Sequence, residues 1–250
     1  MPEADWLGLD GRRVLVAGGA GTIGAALVEG FLDAGAEVAV VDIAFDGLGE
    51  LAPRVATAQA DLRDADACRA AVAAAREALG GGIDVFVHCV GINNRKPIEE
   101  YSDQEWDDII EINLSSAFHT AAAVAPVMRE QGDGRIVFFS SVAGRSGHKL
   151  HGPYAATKGA INQLARVIAH EYAGDGVTVN AVAPGYMETA LTNAYLDANP
   201  AKKEALLELI PAGRFGRLEE VVGPVLFLAS PHAGFINGHI LYIDGGRSIL

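Results

Sequence analysis

Seven short apolar runs alternate with longer amphipathic stretches along nearly the whole chain, and few folds accommodate that order. The runs cover residues 12–17, 37–41, 55–60, 83–88, 135–140, 177–182 and 239–243. They are short and rich in small or branched apolar residues, and several stop at Gly or Asp, which reads as buried strand. Between them, 22–34, 65–79, 103–129, 153–173 and 218–229 carry apolar residues at helical spacing. Strands alternating with helices of ten or more residues form βαβ units and a mostly parallel sheet. Because the strands are continuously apolar, both sheet faces must be covered. The expected fold class is therefore α/β, a doubly wound, seven-stranded parallel sheet with helices on both faces. At 250 residues this is one domain, spanning 1–250. Residues 189–211 are less regular and more polar, and are expected to form a helical flap.

Composition excludes several roles. The net charge of -13 opposes nucleic acid binding, which needs a basic face against phosphate. The two cysteines, Cys68 and Cys89, form no CxxC pair and have no histidines at zinc spacing, so no metal is expected. Isolated cysteines suit a reducing compartment. The first residues, MPEADWLGLDGRR, lack the apolar centre of a signal peptide. No stretch is apolar for ~18 residues without interruption, so no membrane span is expected. A cytoplasmic location follows as the expectation.

After the first run comes Gly18-Gly19-Ala20-Gly21-Thr22-Ile23-Gly24, a G-x-G-x-x-G pattern at Gly19, Gly21 and Gly24. The pattern alone is weak, but here it follows a strand and opens a helix, the context it requires. Glycines let backbone approach a pyrophosphate, and the helix N-terminus offers free N–H groups and a positive dipole. Asp42 ends the second strand, 18 residues beyond Gly24. An acid there can accept both adenosine ribose hydroxyls and repel a 2′-phosphate, so NAD is favoured over NADP. No Arg in 43–47 would neutralise such a phosphate. Asp61 ends the third run; it either faces the adenine or caps the helix that begins at Ala65.

Tyr154 and Lys158 stand four apart at the start of a helical stretch, hence on one face. A phenol titrates near 10, too high for a base at neutral pH. A nearby ammonium favours the phenolate and brings the group into range for acid–base work. In isolation the spacing is common, and a surface pair would show it too.

Taken together, these residues resemble the short-chain dehydrogenase/reductase family. The resemblance runs from Gly11 to Gly246 and includes Asn113 in INLSSAF, Ser141 in IVFFSSVAG, YAATK, VNAVAPGYMET and a C-terminal IDGG. It implies a Rossmann-type fold and a catalytic set of Asn113, Ser141, Tyr154 and Lys158. Ser141 is chosen over Ser140 because it lies thirteen residues before the tyrosine. In this implied scheme Ser141 holds the substrate oxygen and Tyr154 exchanges its proton. Lys158 lowers the tyrosine pKa and holds the nicotinamide ribose, while Asn113 bends its helix and holds a relaying water. The resemblance further assigns Gly18, Gly21, Thr22, Ile23 and Gly24 to the pyrophosphate and Asp42, Asp61 and Leu62 to the adenosine half. Cys89, Gly91, Pro184, Gly185, Met187 and Thr189 go to the nicotinamide half.

Two departures stand out. Ala17 and Thr22 replace a Thr and a Gly of the family's usual turn, Gly21 supplying the glycine one step early. Cys89-Val90-Gly91 replaces the usual Asn-Ala-Gly after the fourth strand. Cys89 is a poor donor, and it reads as a small buried residue.

The substrate should meet loops at the carboxyl ends of the strands. Arg95, Lys149, His151 and Tyr186 are the candidates there, and the basic groups suggest a polar, anionic substrate. The sequence resembles the sugar-acid dehydrogenases of the family, so a secondary alcohol and ketone of a sugar acid or polyol are the expected pair. A 3-oxoacyl-carrier-protein reductase, a hydroxysteroid-type dehydrogenase and an NAD-binding sensor without catalysis remain the alternatives. The partners expected are a small-molecule substrate and, by resemblance, three further copies of the chain in a homotetramer packed through 103–129 and 153–173.

Overall fold

The computed structural model describes residues 6–189, 196 and 198–249. Seven parallel strands form one sheet in the order β3-β2-β1-β4-β5-β6-β7. They are β1 (Arg13–Ala17), β2 (Glu37–Asp42), β3 (Ala56–Gln59), β4 (Val85–His88), β5 (Gly134–Phe139), β6 (Val177–Pro184) and β7 (Ile240–Ile243). Every run expected to be a strand is one. The sequence order reverses between β1 and β4, where β1 pairs with both β2 and β4. That switch point opens a crevice at the carboxyl ends of the strands.

Alternate side chains on each strand supply two separate cores. Val14, Val16, Val38, Val40, Val85 and Val87 pack with α1 (Thr22–Asp33) and the helix Glu219–Ala229. Leu15, Ala17, Ala39, Val41 and Phe86 pack on the other face with α2 (Ala65–Ala78), α4 (Ser116–Gln131) and α5 (Gly152–Tyr172). Phe31, Phe86 and Phe138 are fully buried, each contributing about 1.5–3 kcal/mol of apolar transfer. Burial on both faces explains why the strands read as continuous apolar runs.

The expected helix 103–129 is interrupted. α3 (Asp103–Ile110) opens with a capping box of Ser102 and Glu105, and α4 follows only after a π-helical turn, Glu111–Ser115. Such insertions cluster at functional sites, and Asn113 lies inside this one. Within the expected flap the structure describes a helix at Pro200–Leu207 and the buried Leu196; residues 190–195 and 197 lie outside the described residues. Asp64, not Asp61, caps α2, its side chain accepting from the Ala67 N–H at 2.7 Å.

Candidate active site

Two cavities line the crevice and share Cys89, Val90, Gly91 and Ile92. One, of about 570 Å³, lies between the glycine turn and the ends of β2 and β3. The other, of about 940 Å³, lies over β4, β5 and β6.

In the first cavity the glycine turn brings backbone against backbone. Gly18 has φ 79°, and a Cβ there would stand 2.9 Å from the Val90 nitrogen. A Cβ on Gly24 would run into the Gly18 carbonyl, so α1 can start directly beneath the turn only with glycine. The early glycine leaves the turn closed: Gly21 is the N-cap in extended conformation, and its N–H reaches the Gly18 carbonyl at 3.3 Å. Thr22 is exposed at the first helical position. α1 has no side-chain cap and no acid in its first turn, so its free N–H groups remain available to an anion.

Asp42 ties this turn to β2. One carboxylate oxygen accepts from the Ala20 N–H at 2.9 Å, the other from the Ile43 N–H at 2.7 Å. Each oxygen keeps a lone pair for a further donor. Asp61 and Leu62 line the same cavity. Asp61 is clasped by Arg63 through Nε at 3.0 Å to both oxygens, which holds its carboxyl below the usual range.

In the second cavity the groups expected to do chemistry meet. Ser141 and Ser140 take different roles. The Ser140 hydroxyl donates to the Lys158 carbonyl at 3.2 Å, fixing β5 to α5. Ser141 begins a 3₁₀ turn, accepts from the Ala143 N–H at 3.2 Å and shares the cavity wall with Tyr154. Lys158 Nζ lies 5.6 Å from the Tyr154 ring centroid and donates to the Phe139 carbonyl at 2.8 Å. Gly91 leaves room above it: a Cβ there would stand 3.4 Å from both Lys158 Nζ and Asn113 Oδ1.

Electrostatics correct one expectation. Lys158 was expected to lower the Tyr154 pKa. Burial instead raises Tyr154 above its ordinary value, opposed by the Ser141 hydrogen bond and the charge of Arg95. Desolvation also pulls Lys158 down to about 8. For both groups desolvation is the largest influence.

Asn113 lies in the π-helical turn, where its helix is interrupted. Its amide accepts from the Ile92 N–H at 2.7 Å and donates to the Ile92 carbonyl at 2.9 Å and Thr157 Oγ1 at 3.3 Å. Both amide donors are thus committed to protein. Cys89 is only half-buried by position, yet its thiol is pushed up to about 12 by desolvation. Its N–H still donates to the Ala17 carbonyl at 2.8 Å, so β4 stays joined to β1 without an amide side chain.

Ile23, Pro184, Gly185, Met187 and Thr189 line the second cavity. Of the substrate candidates, Arg95 and Tyr186 line it as well. His151 stacks obliquely on Tyr154, centroids 6.1 Å apart. Lys149 is not brought to it; its side chain is exposed and its carbonyl accepts from His151 Nδ1 at 2.7 Å. Sequence reasoning missed Arg63 and Gly47, both in the wall of the first cavity. A Cβ on Gly47 would collide with the Ala20 carbonyl, a contact between distant loops with no local signature. Among the described residues no cluster of three metal-ligating side chains occurs and no helix is long and apolar enough to cross a membrane.

A strand–glycine turn–helix at the switch point, beside a Ser–Tyr–Lys cluster, defines a dinucleotide-dependent oxidoreductase site. The chain belongs to the short-chain dehydrogenase/reductase family, and is an oxidoreductase acting on CH–OH groups. Residues 18–248 match the family described as enoyl-(acyl carrier protein) reductase. Gluconate 5-dehydrogenase of Gluconobacter oxydans is 36% identical over 256 residues, covering 100% of this chain and 99% of that one. D-threitol dehydrogenase of Mycolicibacterium smegmatis is 38% identical over 248 residues, covering 96% and 94%. A gluconate 5-dehydrogenase from Burkholderia cenocepacia, solved with NADP and tartrate, superposes with a TM-score of 0.91 at 35% identity, covering 98% of each chain.

Proposed function

We propose that the chain interconverts a secondary alcohol and a ketone on a sugar acid or polyol, using NAD. The observation that carries this reading is that Ser141, Tyr154 and Lys158 meet in one cavity beside the glycine turn, with Lys158 Nζ 5.6 Å from the Tyr154 ring centroid. The residues fit a dinucleotide: the turn tolerates no Cβ at Gly24, α1 is uncapped, and Gly91 leaves Lys158 Nζ approachable. Gly18, Gly21 and the first turn of α1 would hold the pyrophosphate, Asp42 the adenosine ribose, and Lys158 the nicotinamide ribose. Bound there, a nicotinamide would supply the hydride chemistry that no side chain of the site provides.

The chain's residues handle the proton. Ser141 donates to the substrate oxygen and orients the carbinol carbon. Tyr154 gives its phenolic proton to that oxygen in reduction and takes it back in oxidation. Burial keeps Tyr154 protonated in the free protein, the state that donates. Asn113 acts at one remove, holding Ile92 and hence the wall of the cavity.

Two features support NAD. Asp42 places negative charge where a 2′-phosphate would stand, and the nearby cation Arg63 is already engaged by Asp61. Relatives acting on gluconate and threitol support the substrate class. The exposed Phe118 on α4 and Val167 on α5 support assembly through these helices into a homotetramer. The test is absorbance of the reduced cofactor with a panel of four- to six-carbon alditols and aldonates. Turnover with NAD supports the reading; none with either NAD or NADP contradicts it.

A further inference from the structure

In the second cavity Glu105 pairs with Lys96, which leaves the positive charge of Arg95 without an acid among the described ion pairs, and a further cation reaches the cavity wall from the end of the chain. After β7, Asp244 accepts from the Gly246 N–H at 3.0 Å and the Ser248 N–H at 2.8 Å. Gly245 and Gly246 both have positive φ, 62° and 89°. This tight turn delivers Arg247 onto Tyr186, guanidinium 5.0 Å from the ring centroid, and Tyr186 lines the cavity. One Arg247 nitrogen donates to His148 Nδ1 at 3.1 Å. His148 Nδ1 is therefore an acceptor, which puts the ring proton on Nε2. That Nε2 and the second terminal nitrogen of Arg247 are buried donors without an acceptor among the described residues. A run of rings joins the group to the reacting phenol: His148 to His151 at 5.9 Å, His151 to Tyr154 at 6.1 Å. Arg95 enters the same cavity, and neither Arg95 nor Arg247 has an acidic partner among the described ion pairs.

Buried donors without acceptors are costly and rare, and uncompensated cations in a chain of net charge -13 mark a place for an anion. We propose that Arg247, backed by His148, is a specificity-determining residue: behind Tyr186 it supplies the field that selects a substrate carrying a carboxylate over its neutral alcohol counterpart. This rests on the dehydrogenase reading of the same cavity and narrows it from sugar acids or polyols to acids.

The experiment compares kcat/KM, with saturating cofactor, for four- to six-carbon aldonates and for the alditols of equal length. Wild type, Arg247→Met and Arg247→Lys are used, and thermal melting confirms that each is folded. The wild type should prefer the acids. Arg247→Met should lower the acid-to-alditol ratio about tenfold or more, the effect of one partly buried charge acting over several ångströms. Arg247→Lys should restore much of it. A loss equal for acids and alditols means a merely structural role and overturns the proposal, as does a wild-type preference for alditols. In either case continued turnover of an alditol leaves the dehydrogenase reading standing. If Arg247→Met does not fold, Arg247→Gln carries the test: an unchanged acid-to-alditol ratio overturns the proposal.

Discussion

The Asn113 side-chain amide hydrogen-bonds both backbone groups of one residue, accepting from the Ile92 N–H and donating to the Ile92 carbonyl. Asn113 sits in the π-helical turn between α3 and α4, and Ile92 in the loop after β4 that walls both cavities. The amide thus couples a helix defect to the shape of the site. Asn113→Ala should lower stability by about 2 kcal/mol, the net worth of two part-buried hydrogen bonds to Ile92. Urea unfolding should show this as a lower midpoint at unchanged slope. Asn113→Asp keeps the acceptor and loses the donors, and should fall between.

Adjacent serines should separate cleanly. Ser141→Ala removes the hydroxyl beside Tyr154 and should cut turnover by roughly 10²-fold or more, as loss of an oxyanion donor does. Ser140→Ala removes a bond to the Lys158 carbonyl and should cost about 1 kcal/mol of stability with turnover changed only a few-fold. Steady-state kinetics beside thermal melts distinguish the two.

Asp42 should decide the cofactor. Asp42→Asn keeps an acceptor for the Ala20 N–H and removes the charge. The ratio of kcat/KM for NAD to that for NADP should fall by about tenfold or more, the worth of 1.4 kcal/mol. A wild-type enzyme that prefers NADP would overturn this assignment.

His88 should make the fold sensitive to acid. It is wholly buried, donates through Nε2 toward Ser116 Oγ at 3.0 Å, and desolvation pushes its pKa down to about 3. The unfolded chain takes up a proton near pH 6.5 that the folded protein refuses. Stability is therefore lost as pH falls from about 6.5 toward 3, by at most about 1.4 kcal/mol per pH unit from this group. His88→Gln should flatten that slope between pH 5 and 6.5, where most carboxylates are already ionised. Equal slopes in the two proteins would refute the account.

The sheet was legible because strands buried on both faces must be apolar almost throughout, as Val14 to Ala17 and Val85 to Val87 are. Gly18 to Gly24 and the Tyr154–Lys158 spacing were legible because each is a local pattern with a local reason. What sequence hid was long-range. Nothing near Asn113 announces that its amide closes on Ile92, nor near Gly47 that it abuts Ala20. The direction of the Tyr154 shift was hidden because spacing reports that Lys158 is near, not how far either group is taken out of water. Arg247 lies past the last strand, and only the folded turn at Asp244 shows it meeting Tyr186 and His148.

The most direct test of the central claim is the single-turnover rate of Tyr154→Phe, with cofactor bound, on the best substrate of the panel. Phenylalanine keeps the ring and its packing and removes only the hydroxyl that exchanges the proton. The rate should fall by roughly 10²–10⁴-fold, while cofactor binding, read by fluorescence titration, stays within a few-fold of wild type. A Tyr154→Phe enzyme that turns over at the wild-type rate would contradict the account.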